Sequence, residues 1–282
     1  MTSTGQQAAD FLEVLYPTIH RAKLSTQIAC CDGSGWEQNR ERLTGIQAAG
    51  AENTLGLVTS HGYSSRPGTP FQTSKRVWQT EWSTFDGLTY DVSLKRVISD
   101  LYCFTDVFLQ WYVTGSNSEG LAWANNIQQA FSYSNVTGFL YWWGAANTTD
   151  NESLLFVNGT SEVFATKRLW AHAHFGSRFV RQGATRIGAY VTGDSTNALN
   201  VTAFANTDGT TAVQIINNGN DTETVTLEGL GSTGWAHHGR RKPVQTWLSN
   251  QYNNLTEGIA AVKFGSSAVA KVPAKSLLSF YL

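Results

Sequence analysis

Residues 55–63, LGLVTSHGY, and residues 76–83, RVWQTEWS, decide how this chain is read. Each begins as a short apolar run and breaks into groups that carry chemistry, His61-Gly62-Tyr63 in the first and Glu81-Trp82-Ser83 in the second. Strands covered on both faces read as continuous apolar runs, and such strands belong to parallel sheets flanked by helices. Two further runs have the same form: residues 26–31, closed by Asp32-Gly33-Ser34-Gly35, and residues 138–143, which end in Tyr141-Trp142-Trp143. Between them lie helix-like stretches. Residues 5–22 place Ala8, Phe11, Leu12, Leu15 and Ile19 on one face, and similar stretches cover 36–48, about 119–133 and about 161–176. Strands alternating with amphipathic helices predict βα units over residues 1–180.

Beyond residue 180 the texture changes. Residues 200–206, 211–216, 222–227, 244–247, 260–264 and 276–282 are short, nearly alternating runs. Asp208-Gly209 and Asn218-Gly219 are hairpin-type turn pairs, so residues 181–282 are expected to form an antiparallel β-sandwich.

Composition narrows the function. The net charge of −1 presents no basic face for nucleic acid or anionic lipid, and only 15% of residues are charged. No apolar run is long enough to span a bilayer. Ten tryptophans in 282 residues suit a surface that stacks flat ligands or sugar rings. Seven N-x-Ser/Thr sequons begin at Asn135, Asn147, Asn151, Asn158, Asn200, Asn220 and Asn254, the pattern of a glycosylated extracellular protein. The opening MTSTGQQAADFLE has neither the basic start nor the apolar core of a signal peptide. Cys30, Cys31 and Cys103 form no CxxC pair, so neither a zinc site nor a disulfide framework is expected. No metal, cofactor or obligate protein partner is implied.

Functional residues of parallel α/β architectures gather where strands end. Here that rule assembles Glu81, the pair His61 and Tyr63, and the aromatics Trp82, Tyr141, Trp142 and Trp143. One carboxylate beside a hydroxyl, an imidazole and several indoles fits glycoside chemistry: the carboxylate attacks the sugar, its neighbours orient it, and the aromatics hold the ring. A solvated loop is the ordinary alternative for a strand-end Glu, and a packed rim or core for its neighbours. His172 and His174, two apart on a helix, read as structural. The stretch from His237-His238 to Lys242 reads as a solvated hairpin tip.

Five blocks carry a resemblance: residues 45–65 (GIQAAGAENTLGLVTSHGYSS), 77–83 (VWQTEWS), 119–127 (EGLAWANNI), 137–143 (TGFLYWW) and 167–170 (KRLW). In this order they resemble the fungal branch of glycoside hydrolase family 30. The resemblance implies the C-terminal half of a (β/α)8 barrel, strands five to eight, followed by a β-sandwich. It implies retention, with Glu81 as nucleophile, His61 and Tyr63 as its neighbours on strand six, and an aromatic wall at Trp142 and Trp143. It further implies that the acid/base Glu, which ends strand four in the family, is absent from this chain. Neither Asp32 nor Glu119 stands where the family keeps it. The implied protein is extracellular and hydrolyses plant cell-wall polysaccharide, with β-1,4-xylan the leading substrate and β-1,6-galactan the alternative. A catalytically dead carbohydrate-binding fragment is the reading from a different class. Half a barrel exposes unpaired strand edges, so non-specific self-association is expected. Residues 92–110 interrupt the resemblance and read as a retained intron or a loop insertion.

Overall fold

The computed structural model describes residues 3–84, 110–146, 153–158, 162–229, 236–237, 240–241, 244–263 and 267–282. They fall into two compact units. Residues 92–109 of the interruption at 92–110 and the sequons at Asn147 and Asn151 lie outside the described residues.

The first unit joins residues 1–84 to 129–143. Helix α1 (Gly5–Arg21) starts at Thr4, whose hydroxyl accepts from Gln7 N–H while the Gln7 side chain accepts from Thr4 N–H. This reciprocal cap satisfies two donors that a helix start leaves open. Strand β1 (Ala29–Gly33) leads to α2 (Trp36–Ala48), then to β2 (Leu57–His61) and β3 (Arg76–Glu81). After α3 (Gly120–Ser132) comes β4 (Gly138–Phe139), and the sheet order is β1-β2-β3-β4, every pairing parallel. One face of this sheet is packed. Ile28, Val58 and Val77 from the strands meet Leu12 of α1 and Trp36, Leu43 and Ile46 of α2. Because strand side chains alternate, the residues between them face the other way, and there Leu140 and Trp142 stand exposed. The fourth strand is shorter than the expected 138–143, although Leu140 and Trp142 still donate backbone N–H groups to Gln79 and Trp82.

The second unit contains residues 85–128 and 144–282. The described residues between 144 and 180 belong to this second unit. The predicted helix over 161–176 is mostly replaced. A parallel bridge joins β5 (Ala145–Ala146) to β6 (Leu155–Asn158), which pairs antiparallel with β7 (Glu162–Ala165). Only α4 (Lys167–Ala173) is helical, starting where the Thr166 hydroxyl accepts from Leu169 N–H. The β-branched and aromatic pair Val163-Phe164 favours a strand, and the Thr166 cap fixes where the helix can begin.

The sandwich strands are β8 (Thr185–Ile187), β9 (Leu199–Ala205), β10 (Thr211–Asn217), β11 (Glu223–Leu227), β14 (Val244–Ser249), β15 (Thr256–Lys263), β16 (Ser267–Val272) and β17 (Ser276–Tyr281). A small hairpin, β12 (Ala236–His237) with β13 (Arg240–Arg241), accounts for the expected tip, while His238 lies outside the described residues. Among the described residues the order is β11-β16-β15-β14-β17-β10-β9-β8. Strand β15 changes leaf partway: Thr256–Ala260 pair with β14, Ala261–Lys263 with β16. The core between the leaves holds Val213, Ile215, Val244, Ala268, Val272, Leu278 and Phe280.

Asp208-Gly209 turns between paired strands β9 and β10, as expected. Asn218-Gly219 does not. Strand β11 pairs with β16, not β10, because the buried Asn217 amide donates to Asp221 O and Val272 O and carries the chain across to the other leaf.

Candidate active site

The C-terminal ends of β1, β2 and β3 bring three titratable groups together within the first unit. Glu81, the last residue of β3, has its side chain 30% exposed. Its Oε1 accepts from the Tyr63 hydroxyl at 3.1 Å, and its Oε2 lies 3.7 Å from His61 Nε2. The same His61 nitrogen lies 3.8 Å from Asp32 Oδ1, and that oxygen accepts from the Thr80 hydroxyl at 2.5 Å.

Local backbone structure explains why these side chains meet. The β2–β3 register slips between Ser60 and His61, so that His61 aligns with Glu81. Gly62 N–H then donates to Glu81 O at 3.0 Å. Tyr63 N–H and Ser64 N–H both donate to Ser34 O at 2.9 Å, which ties the β2 end to the β1 end. Below Glu81, the buried Gln79 amide accepts from Trp36 Nε1 at 2.7 Å and donates to Glu81 O at 2.9 Å. The carboxylate thus stands on a backbone anchored to the helix layer.

The expected aromatics divide. Trp142 is 40% exposed and its ring centroid lies 5.4 Å from that of Trp143, with Tyr141 half-buried beside them. Trp82, expected to face a ligand, is instead 3% exposed. Gly62 lies against its ring, where an added Cβ would sit 2.5 Å from the indole carbons, and the Arg66 guanidinium covers it at 5.8 Å from the centroid. Trp82 offers packing, not a stacking face.

Cys30 and Cys31, for which no disulfide was expected, are joined to each other. Adjacent residues of a strand point to opposite faces, so the spacing of these two gave no sign of the pairing; Cys103 lies outside the described residues. Glu119 is buried in the second unit. His174 is structural, as expected: its Nδ1 and Nε2 meet the Ser279 and Ser249 hydroxyls at 2.6 and 2.8 Å. His172 stays below the ordinary histidine range, pushed to about 3 by burial and secondarily by the Arg168 charge. Among the sequons, Asn135, Asn220 and Asn254 are exposed. Asn200 is half-buried and donates to Asn125 Oδ1 at 3.0 Å; the Asn158 side chain lies outside the described residues. No cluster of metal-ligating side chains occurs among the described residues, and none of their helices is long and apolar enough to cross a membrane.

The chain thus holds a parallel α/β unit with a carboxylate and its partners at the strand ends, and an antiparallel sandwich. Residues 183–280 match the glycosyl hydrolase family 30 beta sandwich domain. The chain is similar to the catalytic domain of the family 30 xylanase C from Talaromyces cellulolyticus, at 34% identity and a TM-score of 0.81, over 99% of this chain and 57% of that one. The family 30 endoxylanase from Clostridium papyrosolvens has the same fold at 17% identity and a TM-score of 0.67, over 99% of this chain and 60% of that one. An endo-β1,6-glucanase also shares it, at 18% identity and a TM-score of 0.62, over 99% of this chain and 54% of that one. Over nearly its whole length the chain is similar to family 30 glycoside hydrolases, and it spans between 54% and 60% of the length of these relatives.

Proposed function

We propose that this chain carries the nucleophile half of a retaining glycoside hydrolase, secreted and glycosylated, that cleaves the β-1,4-xylan backbone of plant cell walls. The observation that carries the reading is Glu81: a part-exposed carboxylate at a parallel strand end, gripped by Tyr63 at one oxygen and flanked by His61 at the other. In this role Oε2 attacks the anomeric carbon, the bond to the leaving oxygen breaks, and a glycosyl ester forms at Glu81. The Tyr63 hydroxyl holds Oε1, so that the second oxygen keeps its aim. Trp142 and Trp143 form the aromatic wall against which a sugar ring packs.

Retention also needs an acid/base carboxylate about 5–5.5 Å from the nucleophile. We assign that role to neither Asp32, whose Oδ1 is engaged by Thr80 and His61, nor the buried Glu119. Xylan is preferred over β-1,6-galactan because the relative at 34% identity is a xylanase.

The test is covalent trapping with a 2,4-dinitrophenyl 2-deoxy-2-fluoro-β-xylobioside, whose leaving group departs without a proton. Intact mass should show one adduct per chain, with the label on the peptide bearing Glu81 and none in Glu81→Gln. Absence of an adduct on the natural chain, or an adduct that survives Glu81→Gln, overturns the reading.

A further inference from the structure

We infer that Asp32 is a positioning residue for Glu81, acting through the His61 imidazole and the Thr80 hydroxyl; the inference rests on Glu81 being the nucleophile. Three observations carry it.

The first is connectivity. Asp32 Oδ1 accepts from Thr80, the residue immediately before Glu81, and sits 3.8 Å from the imidazole nitrogen that lies 3.7 Å from Glu81 Oε2. One carboxylate therefore holds both the backbone that carries the nucleophile and the ring beside it. The Ser60 carbonyl lies 3.3 Å from the same hydroxyl, whose single hydrogen goes to the nearer Asp32 Oδ1.

The second is the conformation of Asp32. Its φ is +47°, a left-handed value that few residues other than glycine adopt. It occupies the slip in the β1–β2 register between Cys31 and Gly33, and a bulge of this kind re-aims a side chain at the end of a strand. The next residue locks it in place. A Cβ on Gly33 would lie 3.0 Å from Arg42 Nη1 and 3.2 Å from Asn39 N, so the chain lies directly on α2. Asp tolerates this region better than most side chains, and here it sets the carboxylate toward Thr80 and His61.

The third excludes the more obvious role. Asp32 Oδ1 and Glu81 Oε2 both lie within 3.8 Å of His61 Nε2, and the same Asp32 oxygen accepts from the Thr80 hydroxyl at 2.5 Å. The Asp32 carboxylate is thus engaged by the neighbours that carry and flank Glu81. Asp32 is therefore an anchor and not the proton donor.

The experiment compares the chain with Asp32→Asn, His61→Gln and the double variant. Asp32→Asn keeps the size of the side chain and an acceptor for Thr80, and removes the charge. With 15N-labelled histidine, the His61 ring resonances, identified by their loss in His61→Gln, should shift in Asp32→Asn while those of buried His174 stay fixed. The rate of trapping by the fluorinated xylobioside should fall about 10- to 100-fold in Asp32→Asn, the size expected for one charge-assisted contact. In the His61→Gln background the same change should cost less than about 3-fold, because paired residues are non-additive. Unmoved His61 resonances overturn the inference. So does a trapping loss that persists undiminished in the double variant. Should the xylobioside label nothing on the natural chain, the function reading fails, while the resonances still decide whether Asp32 acts on His61. If Asp32→Asn does not fold, Thr80→Val and Thr80→Ser repeat the trapping test, with loss expected in the first and retention in the second.

Discussion

His174 makes the second unit acid-sensitive, and the size of the effect follows from its surroundings. The ring is fully buried, stacked on Phe179, with both nitrogens met by serine hydroxyls. Ser249 Oγ also accepts from Leu255 N–H. The neutral ring, with one donor and one acceptor nitrogen, matches the two hydroxyls, and burial opposes the charge of a second proton. Burial accordingly pushes the imidazole down to about 3 from 6.5. The folded pKa is depressed, so the unfolded chain binds the extra proton first and stability is lost as pH falls below about 6.5. At pH 5 this group alone should cost about 2 kcal/mol relative to pH 7.5. Asp194 and Asp208 are held below the ordinary carboxylate range, chiefly by the Thr196 and Thr210 hydroxyls, and their losses come at lower pH. Urea unfolding at pH 7.5 and pH 5, followed by far-ultraviolet circular dichroism, measures the difference. His174→Gln should be less stable at pH 7.5 and lose about 2 kcal/mol less on acidification. An equal loss in both proteins would refute the reasoning, since the proton would then be binding elsewhere.

Gly62→Ala should lower stability by about 1–3 kcal/mol, the usual cost of overpacking, because the new methyl meets the Trp82 ring at 2.5 Å; an unchanged thermal midpoint would mean that the ring gives way freely. Thiol titration of the denatured chain should count two more thiols after reduction than before it, since Cys30 and Cys31 are joined. Three free thiols without reductant would contradict the pairing.

Much of this molecule is legible in the order of its residues. The four apolar runs, their abrupt polar ends, and the change to alternating strands beyond residue 180 follow from burial on two faces against burial on one. Those local signals place His61, Tyr63 and Glu81 at strand ends, and the five family blocks then give each a role. Helix α1 is equally readable through its apolar spacing, and the structure adds the Thr4–Gln7 cap. Residues 161–176 were misread because an apolar stretch of that length satisfies a helix or a hairpin equally, and the Thr166 cap that decides between them acts only once the chain has turned.

Contacts between distant residues are of another kind. Nothing local tells that Asn217 spends its amide on Val272 O, sending β11 to the other leaf instead of into a hairpin. Nor does composition reveal that Trp82 lies beneath Gly62 and Arg66 while Trp142 stands exposed. A periodic pattern reports which face of an element is apolar, not what that face meets. The joining of His61 to both Asp32 and Glu81 depends on a bulge in β1 and a slip in β2, each absorbing one residue of register. Sequence alone determined the four parallel strands, their intervening helices and most strands of the sandwich, with the residue types at the strand ends, because these depend on neighbours within a few positions. Only the tertiary structure decided which carboxylate is gripped by tyrosine and which anchors the histidine, because a one-residue slip turns a side chain to the opposite face.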